Sequence, residues 1–386
     1  MQPLVTLIVR DDHAELLAEE SSPARRELDP AAIKRFTAMQ ESYGTLRNDK
    51  NKRAELLTLG KELFTWLEGD SKVVSRAVKS EAGHWVLEIR CDETSPSPGQ
   101  LTVLHAPWEL LADESGFFAQ NALRPFCPVR RLGRPRNPAP LDARCLGITF
   151  MAAAPRGQVE LDYEAEETAI LEAVPQGDLD LVVEDSGNLT ELGFRVAKQP
   201  MQVLHLSCHG DEGNAKTGGE PFLCLEDDYG DMTSALATDL VTKLASPASR
   251  LLFLSACSSA TAMPLPATDT DPPAATPLSN VDMVHSLATL MIQGGLPAVL
   301  GWDGKVADDA ATFFAGKLYE QLAVKIPLEQ AVGMARTALF LEEEGISAGP
   351  QAPATYDTSA TKRASLEAAQ GRRGSWHLAR LWLGPA

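Results

Sequence analysis

Apolar and polar positions along the chain follow a rhythm of buried strands and amphipathic helices. Short, uninterrupted apolar runs are typical of strands covered on both faces, and the segments between many of them have helical spacing. Strands are predicted at 4–10, 84–90, 145–153, 179–185, 201–207, 250–256 and 298–302, with a hairpin at 221–236. Helices are predicted from Asp29-Pro30 onward and at 51–69, 162–174, 188–199, 237–246, about 283–293 and 307–322. This alternation predicts an α/β fold with a mostly parallel central sheet flanked by helices.

Four stretches interrupt this rhythm. The Pro/Arg-rich segment 133–144 indicates a boundary between an N-terminal α/β extension (1–140) and a second unit (141–386). The sequence places the start of that second unit no more narrowly than between residues 85 and 140. The segment "PSPGQ" at 96–100 is expected to break the regular structure of the chain. Segments 262–279 and 342–375 are poor in apolar residues and are expected to be mobile surface loops.

Length and charge narrow the class of protein. A chain of 386 residues suggests about two or three folding units. The net charge of −18 argues against non-specific nucleic-acid binding and against an anionic membrane surface, because both require clustered Lys and Arg. The start of the chain has acids where a secretion signal would stay apolar, and the apolar region 286–302 is interrupted by Gly and Pro. We therefore expect a cytoplasmic protein without a membrane span.

The six cysteines are scattered, without a C-x-x-C pair or a zinc-ligand spacing. Free thiols in a reducing compartment are the simplest expectation, with no metal and no cofactor.

Two predicted strands end in residues capable of chemistry. The run "VLHLS" ends at Cys208-His209-Gly210, and "RLLFLSA" ends at Cys257. Consecutive strands joined by a helix are expected to be parallel neighbours, about 4.8 Å apart, so His209 and Cys257 are predicted to meet at one sheet edge. Alone, such a Cys is more often a small buried hydrophobe, and such a His a surface residue.

Together these residues fit nucleophilic catalysis. An imidazole can accept the proton of a thiol and later protonate a leaving amine. The backbone N–H groups of Gly210 and Cys257 are the candidate oxyanion donors.

The chain resembles the CHAT peptidases, caspase-like cysteine proteases of clan CD, and through them the separases. The resemblance spans about residues 85–386. It is carried by "PWELL" (107–111), "LHLSCHG" (204–210), "LCLEDDYG" (223–230), "LLFLSACSSA" (251–260), "GGLPAVLGW" (294–302), "ADDAATFFAGKLYEQL" (307–322), "LEQAVGMARTAL" (328–339) and "LARLWLGP" (378–385). The resemblance implies a caspase-hemoglobinase fold in which His209 and Cys257 form the catalytic dyad. His205 falls in the same motif, but it points back into its strand, which favours a structural role.

The resemblance also implies how a substrate is selected. In relatives an acidic side chain binds a basic P1 residue, and "GWDGKVADD" (301–309) makes Asp303 and Asp308 the candidates for the S1 pocket. The alternative for Asp308 is that it caps the following helix. With a basic P1, self-cleavage would fall in 361–365 or 371–375, because 262–279 has no Lys or Arg. A preference for Asp would instead point to Asp269 or Asp271.

These features predict a cytoplasmic cysteine endopeptidase that cuts a protein partner after a basic residue. Family members are commonly controlled by a sensor module, which can be a repeat module or a cyclic-oligonucleotide sensor. Some family members act in bacterial defence, including CRISPR-associated signalling, and some cleave gasdermin-like proteins. The alternative of a different class is a catalytically silent caspase-like scaffold. An acyl transferase or amidase that uses the same thiol has no distinguishing feature in the sequence.

Overall fold

The computed structural model describes residues 4–18, 21–49, 51–80, 85–135, 145–158, 161–175, 177–211, 217, 220–246, 248–256, 263–264, 283–284, 287–345 and 374–385. The strands, in chain order, are β1 (Val5–Val9), β2 (His13–Ala18), β3 (Ala24–Glu27), β4 (Trp85–Cys91), β5 (Ala112–Asp113), β6 (Gly116–Phe117), β7 (Phe126–Leu132), β8 (Leu146–Ala152), β9 (Leu179–Glu184), β10 (Val203–Ser207), β11 (His209–Asp211), β12 (Phe222–Glu226), β13 (Met232–Leu236), β14 (Leu251–Ser255), β15 (Met263–Pro264), β16 (Met283–Val284), β17 (Ala298–Trp302) and β18 (Ala379–Leu383).

The α-helices, in chain order, are α1 (Pro30–Leu46), α2 (Arg53–Glu68), α3 (Val73–Ser80), α4 (Pro98–Leu104), α5 (Tyr163–Ala173), α6 (Leu189–Lys198), α7 (Ala237–Leu244), α8 (Leu287–Gln293), α9 (Asp308–Ala323) and α10 (Leu328–Glu343). Short 3₁₀ turns cover Trp108–Leu110 and Phe118–Gln120. Several helix starts follow from local sequence. Asp29, for example, accepts the backbone N–H of Ala32 at 2.7 Å and is followed by Pro at the first helical position, as predicted.

One large sheet joins eleven of these strands in the order β3-β2-β1-β4-β7-β18-β17-β14-β10-β8-β9. The pairs β1–β4, β4–β7, β7–β18, β17–β14, β14–β10, β10–β8 and β8–β9 are parallel. The pairs β1–β2, β2–β3 and β17–β18 are antiparallel. The prediction of a mostly parallel sheet flanked by helices is therefore confirmed.

The central strands are covered on both faces. Every residue of β10, β14 and β17 is buried, which their continuous apolar sequences require. Helix α9 packs against both α5 and α10, and helix α7 packs against both α6 and α8. On α9 the buried residues Ala310, Phe314 and Leu318 lie four positions apart, so one stripe of this helix faces the sheet.

The N-terminal extension is continuous with the rest of the sheet. Its strand β7 pairs in parallel with β18 from the end of the chain, with Leu381 opposite Val129. The apolar cores of both parts form one cluster of buried side chains. The domain boundary predicted near 140 stays a prediction, and the main sheet crosses it.

Several elements differ from the expectations. "PSPGQ" begins α4 and does not break the chain, because Ser97 and Gln100 form a reciprocal capping box. The elements that the sequence does not predict are strands β2, β3, β5, β6, β7, β11, β15, β16 and β18 and helices α3, α4 and α10. Helix α10 runs to Glu343, so the loop expected from 342 begins later. Most of that loop, and nearly all of the loop expected at 262–279, lies outside the described residues, together with Asp269, Asp271 and 361–365.

Candidate active site

Strands β10 and β14 end side by side, as the sequence predicts. They are parallel neighbours, and Ser207 at the end of β10 is in register with Ser255 at the end of β14. The backbone N–H of Cys208 donates to the carbonyl oxygen of Ser255 at 3.3 Å, so the alignment continues just past the last paired residues. His209 follows Ser207 by two positions, and Cys257 follows Ser255 by two positions. Cys257 itself lies outside the described residues.

His209 is held by a second, smaller sheet. It begins β11, which pairs antiparallel with β12 and places His209 opposite Cys224 and Gly210 opposite Leu223. Strand β12 in turn pairs with β13. The side chain of His209 is half-buried, whereas Cys208 beside it is buried. The chain therefore leaves the main sheet after Ser207 and presents His209, not Cys208, to solvent.

A cavity of about 210 Å³ opens at this edge of the main sheet. Its walls come from the ends of β10 and β14, from the start of α5 and from the start of α9. The lining residues are Leu161, Asp162, Glu166, Ser207, Cys208, His209, Ser255, Val306, Asp308, Ala311 and Thr312. Among these described lining residues, three are carboxylic acids and none is Lys or Arg, so this part of the wall carries negative charge.

A buried carboxylate lies between the two strand ends. Glu166 of α5 is only 3% exposed. Its Oε1 accepts the hydroxyl of Ser255 at 2.8 Å, and its carboxylate also accepts the hydroxyl of Ser207. Burial acts to raise the pKa of Glu166, but the His205 imidazole and the two hydroxyls outweigh it and hold this pKa below its usual range.

His205 connects Glu166 to helix α9. It is fully buried inside β10, with Nε2 3.2 Å from Oε1 of Glu166. Its other ring nitrogen, Nδ1, lies 2.8 Å from the hydroxyl of Tyr319, and burial raises the pKa of that tyrosine well above its usual value. His205 thus lies buried within its strand, the position for which the sequence predicts a structural role.

The sequence offered no role for Glu166, Ser207, Ser255 or Tyr319. The available signal was the helical spacing that puts Glu166 four positions before the buried Ile170, on the inward face of α5.

The two candidate S1 residues occupy different environments. Asp308 is exposed on the cavity wall and is the first residue of α9. The helix is preceded by Ala307 at the N-cap position without a side-chain cap, so the alternative in which Asp308 caps the helix is wrong. A carboxylate in the first turn is still favoured by the helix dipole.

Asp303 is 1% exposed and is not among the residues that line the cavity. Arg47 at the end of α1 donates to its Oδ1 at 2.7 Å, and Arg380 of β18 forms an ion pair with its other oxygen. Its carboxylate is therefore occupied by two guanidinium groups of the same chain. The structure places Asp308, and not Asp303, where a substrate could reach it.

A larger cavity of about 310 Å³ lies at the opposite edge of the main sheet, near Cys145, Arg250 and Ile326. Its described lining includes the Cys145 thiol but no histidine and no carboxylic acid. In the described part of the chain no group of three or more His, Cys, Asp or Glu side chains is arranged to hold a metal ion. Across the same residues, no helix has both the length and the apolar character that a bilayer crossing requires.

Comparison with known proteins agrees with the resemblance. A family model described as CHAT domain matches residues 97–356, about two thirds of the chain. No curated protein matches the chain. Two structures of the Saccharomyces cerevisiae separase–securin complex are similar at 13% identity and a TM-score of 0.38, and the alignments cover 80% and 82% of this chain.

The chain spans only 16% and 18% of the length of the separase chains it matches. The Arg-specific cysteine proteinase gingipain R is similar at 11% identity and a TM-score of 0.41, covering 86% of this chain and 67% of its own. The family match includes the ends of β10 and β14 and the starts of α5 and α9, which together form the cavity. The chain belongs to the CHAT domain family.

Proposed function

We propose that the chain is a cysteine endopeptidase that cleaves a protein partner after a basic residue, with His209 and Cys257 as its catalytic dyad. One observation carries the proposal. The strands that precede these residues are parallel neighbours in register, and each residue follows its strand by the same two positions. His209 also lines a cavity at that edge of the sheet.

The chemistry needs only groups of the chain and water. His209 accepts the proton of the Cys257 thiol, and the thiolate attacks the scissile carbonyl carbon. Backbone N–H groups of Gly210 and Cys257 stabilise the oxyanion, and the His209 imidazolium protonates the leaving amine as the C–N bond breaks. Water, deprotonated by His209, then hydrolyses the thioester and restores the thiol.

A thiol-directed chloromethyl ketone with Arg at P1 tests the dyad. We expect labelling of the wild-type protein that disappears in Cys257→Ala and falls strongly in His209→Ala. Cys145→Ala is the matched control, because Cys145 is the partly exposed thiol among the described free cysteines. Labelling that survives Cys257→Ala would refute the dyad. A complete lack of labelling, with Cys257 alkylated at the rate of an ordinary thiol, would favour a silent scaffold.

A basic P1 residue is supported by the charge of the cavity. Asp162 and Asp308 are exposed carboxylates on its wall, and Glu166 is a buried carboxylate that also lines it. A lysine or arginine side chain of a substrate entering this space would be paired, whereas an aspartate would be repelled. Of the two acids proposed from the sequence, Asp308 is the S1 residue of this proposal.

Peptides that differ only at P1 test this assignment. We expect cleavage after Arg or Lys and not after Asp. Asp308→Asn should lower kcat/KM for Arg peptides about 10- to 100-fold, the range expected for one charge-assisted hydrogen bond. Asp309→Asn makes the same change of charge one residue further along α9 and should have little effect. Strong cleavage after Asp alone would refute the proposal.

The partner and the setting form the last part of the proposal. The resemblance supports a protein substrate, control by a sensor module on the same chain or on another subunit, and action in bacterial signalling or defence. Incubation of the protein with the products of neighbouring genes should yield one discrete, Cys257-dependent cleavage. Cleavage of none of them would count against a defence partner encoded nearby.

A further inference from the structure

We infer that Glu166 is a positioning residue, which fixes the strand ends that carry His209 and Cys257 relative to each other by accepting one hydroxyl from each strand. The inference rests on the proposed function of these two residues. It assigns a specific task to a carboxylate that the dyad chemistry itself does not use.

The geometry is symmetrical about the carboxylate. Ser207 and Ser255 are register partners at the ends of β10 and β14, and both hydroxyls bond to Glu166. Each serine precedes its catalytic residue by two positions. Within the described residues beyond the serines, the register continues through a backbone bond from the N–H of Cys208 to the carbonyl oxygen of Ser255. The shared carboxylate is therefore a side-chain connection between the strands at the point where the sheet ends.

The buried carboxylate of Glu166 is held in position by His205 and its neighbours. His205 lies 3.2 Å from Oε1, and Tyr319 contacts the other side of the imidazole at 2.8 Å. Phe150 and Phe253 flank the His205 ring with centroids 5.1 and 4.7 Å away. These neighbours restrict the ring to one orientation, so the position of Glu166 is fixed from α9 through His205.

A gain in stability alone does not explain why a carboxylate is buried between the two strand ends. A buried carboxylate is often no more stable than an apolar side chain of the same volume, because its desolvation offsets the attraction of its partners. Glu166 also lies at the floor of the cavity rather than in the middle of the core. A displacement of about 1 Å between reacting groups can lower a rate about 100-fold, so a connection at this point has a direct effect on the chemistry.

The experiment measures the thiol of Cys257 directly and does not require a known substrate. The alkylation rate of Cys257 by iodoacetamide is followed against pH by peptide mass spectrometry. Cys91 and Cys127 will not interfere, because burial raises their pKa values to about 12 and about 11. The variants are Glu166→Gln, the double variant Ser207→Ala/Ser255→Ala, and the two combined. Glu164→Gln, an exposed residue of the same helix, is the control.

In the wild type we expect an apparent thiol pKa below the ~8.5 of a free cysteine, raised by His209→Ala. Glu166→Gln and the serine double variant should each raise it by about one unit. The combined variant should be no worse than either, because all three changes break one connection. With a cleavable peptide, kcat should fall about 10-fold or more while KM changes little. Glu164→Gln should match the wild type.

Three results would overturn the inference, and each can be distinguished from the others. If His209→Ala raises the thiol pKa but Glu166→Gln leaves both the pKa and kcat unchanged and only lowers the melting temperature, Glu166 is merely structural. If the wild-type thiol titrates near 8.5 and His209→Ala has no effect, the dyad itself is refuted, and the positioning role with it. Strictly additive effects of Glu166→Gln and the serine changes would also refute the shared connection.

Discussion

The environment of Asp303 predicts a large loss of stability when its charge is removed. Its carboxylate is 1% exposed and lies between Arg47 and Arg380. Asp303→Asn keeps the shape of the side chain but leaves two guanidinium groups facing a neutral amide. Removing one partner of a buried ion pair typically destabilises a protein by about 3–5 kcal/mol, since the remaining charge is buried without compensation. Domains are stable by only about 5–15 kcal/mol, so this loss would be easily measured.

Urea unfolding followed by tryptophan fluorescence measures this effect. We expect the midpoint of Asp303→Asn to fall well below that of the wild type. Asp308→Asn is the matched control, and its exposed side chain should change the unfolding free energy by less than about 0.5 kcal/mol. In a double-mutant cycle, Arg47→Met combined with Asp303→Asn should show a coupling energy of about 0.5–3 kcal/mol.

The opposite pattern would refute the reasoning. If Asp303→Asn unfolds at the wild-type midpoint and instead weakens cleavage after Arg selectively, then Asp303 is a substrate-binding residue and the ion pairs contribute little. If both variants lose activity and only Asp303→Asn loses stability, Asp308 binds the substrate and Asp303 holds the fold.

Two further predictions concern glycines and a buried acid. Gly44→Ala should stabilise the protein by about 1 kcal/mol, because a Cβ there meets no neighbour within 4 Å in the exposed face of α1. Gly60→Ala should destabilise it by about 1–3 kcal/mol, because a Cβ would collide with the backbone of Leu110; equal effects in urea unfolding would contradict this. Burial raises the pKa of Glu343 to about 8. Its stabilising contribution is therefore complete below about pH 4.3 and is lost as the pH rises to 8, by up to about 1.4 kcal/mol per pH unit. Glu343→Gln should remove this decline, and a difference from wild type that is the same at pH 5 and pH 8 would refute it.

The framework of the site was predictable because its signals are local. Continuous apolar runs identified β10 and β14, and the helix between them indicated parallel neighbours. Other strands gave no such signal. Strand β2 is "HAELLA", which mixes a histidine and a glutamate with its leucines, and β3 is "ARRE", which has no apolar run to mark it. These two segments form strands because they pair with each other at the edge of the main sheet, and their composition alone does not predict a strand.

The roles of individual acids depend on contacts that sequence spacing does not contain. Asp303 and Asp308 lie five positions apart and looked equivalent in the sequence. Arg47 comes from 256 positions away, which the residues around Asp303 do not reveal. Glu166 gave a partial signal, an acid on an inward helical face, but Ser255 lies 89 positions away from it. Local patterns indicate that such an acid is buried, and only the tertiary structure shows what it binds.

The same ion pairs connect the N-terminal extension to the cavity. Asp303 directly follows β17, and the five residues after it lead to Asp308 at the cavity wall. Arg47 belongs to the end of α1, and Arg380 belongs to β18, which pairs with β7 of the extension. The position of the segment 303–308 is therefore fixed by residues on both sides of the predicted boundary at 140. Because this segment carries the proposed S1 carboxylate, the extension helps to position the proposed site. A chain cut near residue 140 would leave Asp303 without Arg47, one of its two partners.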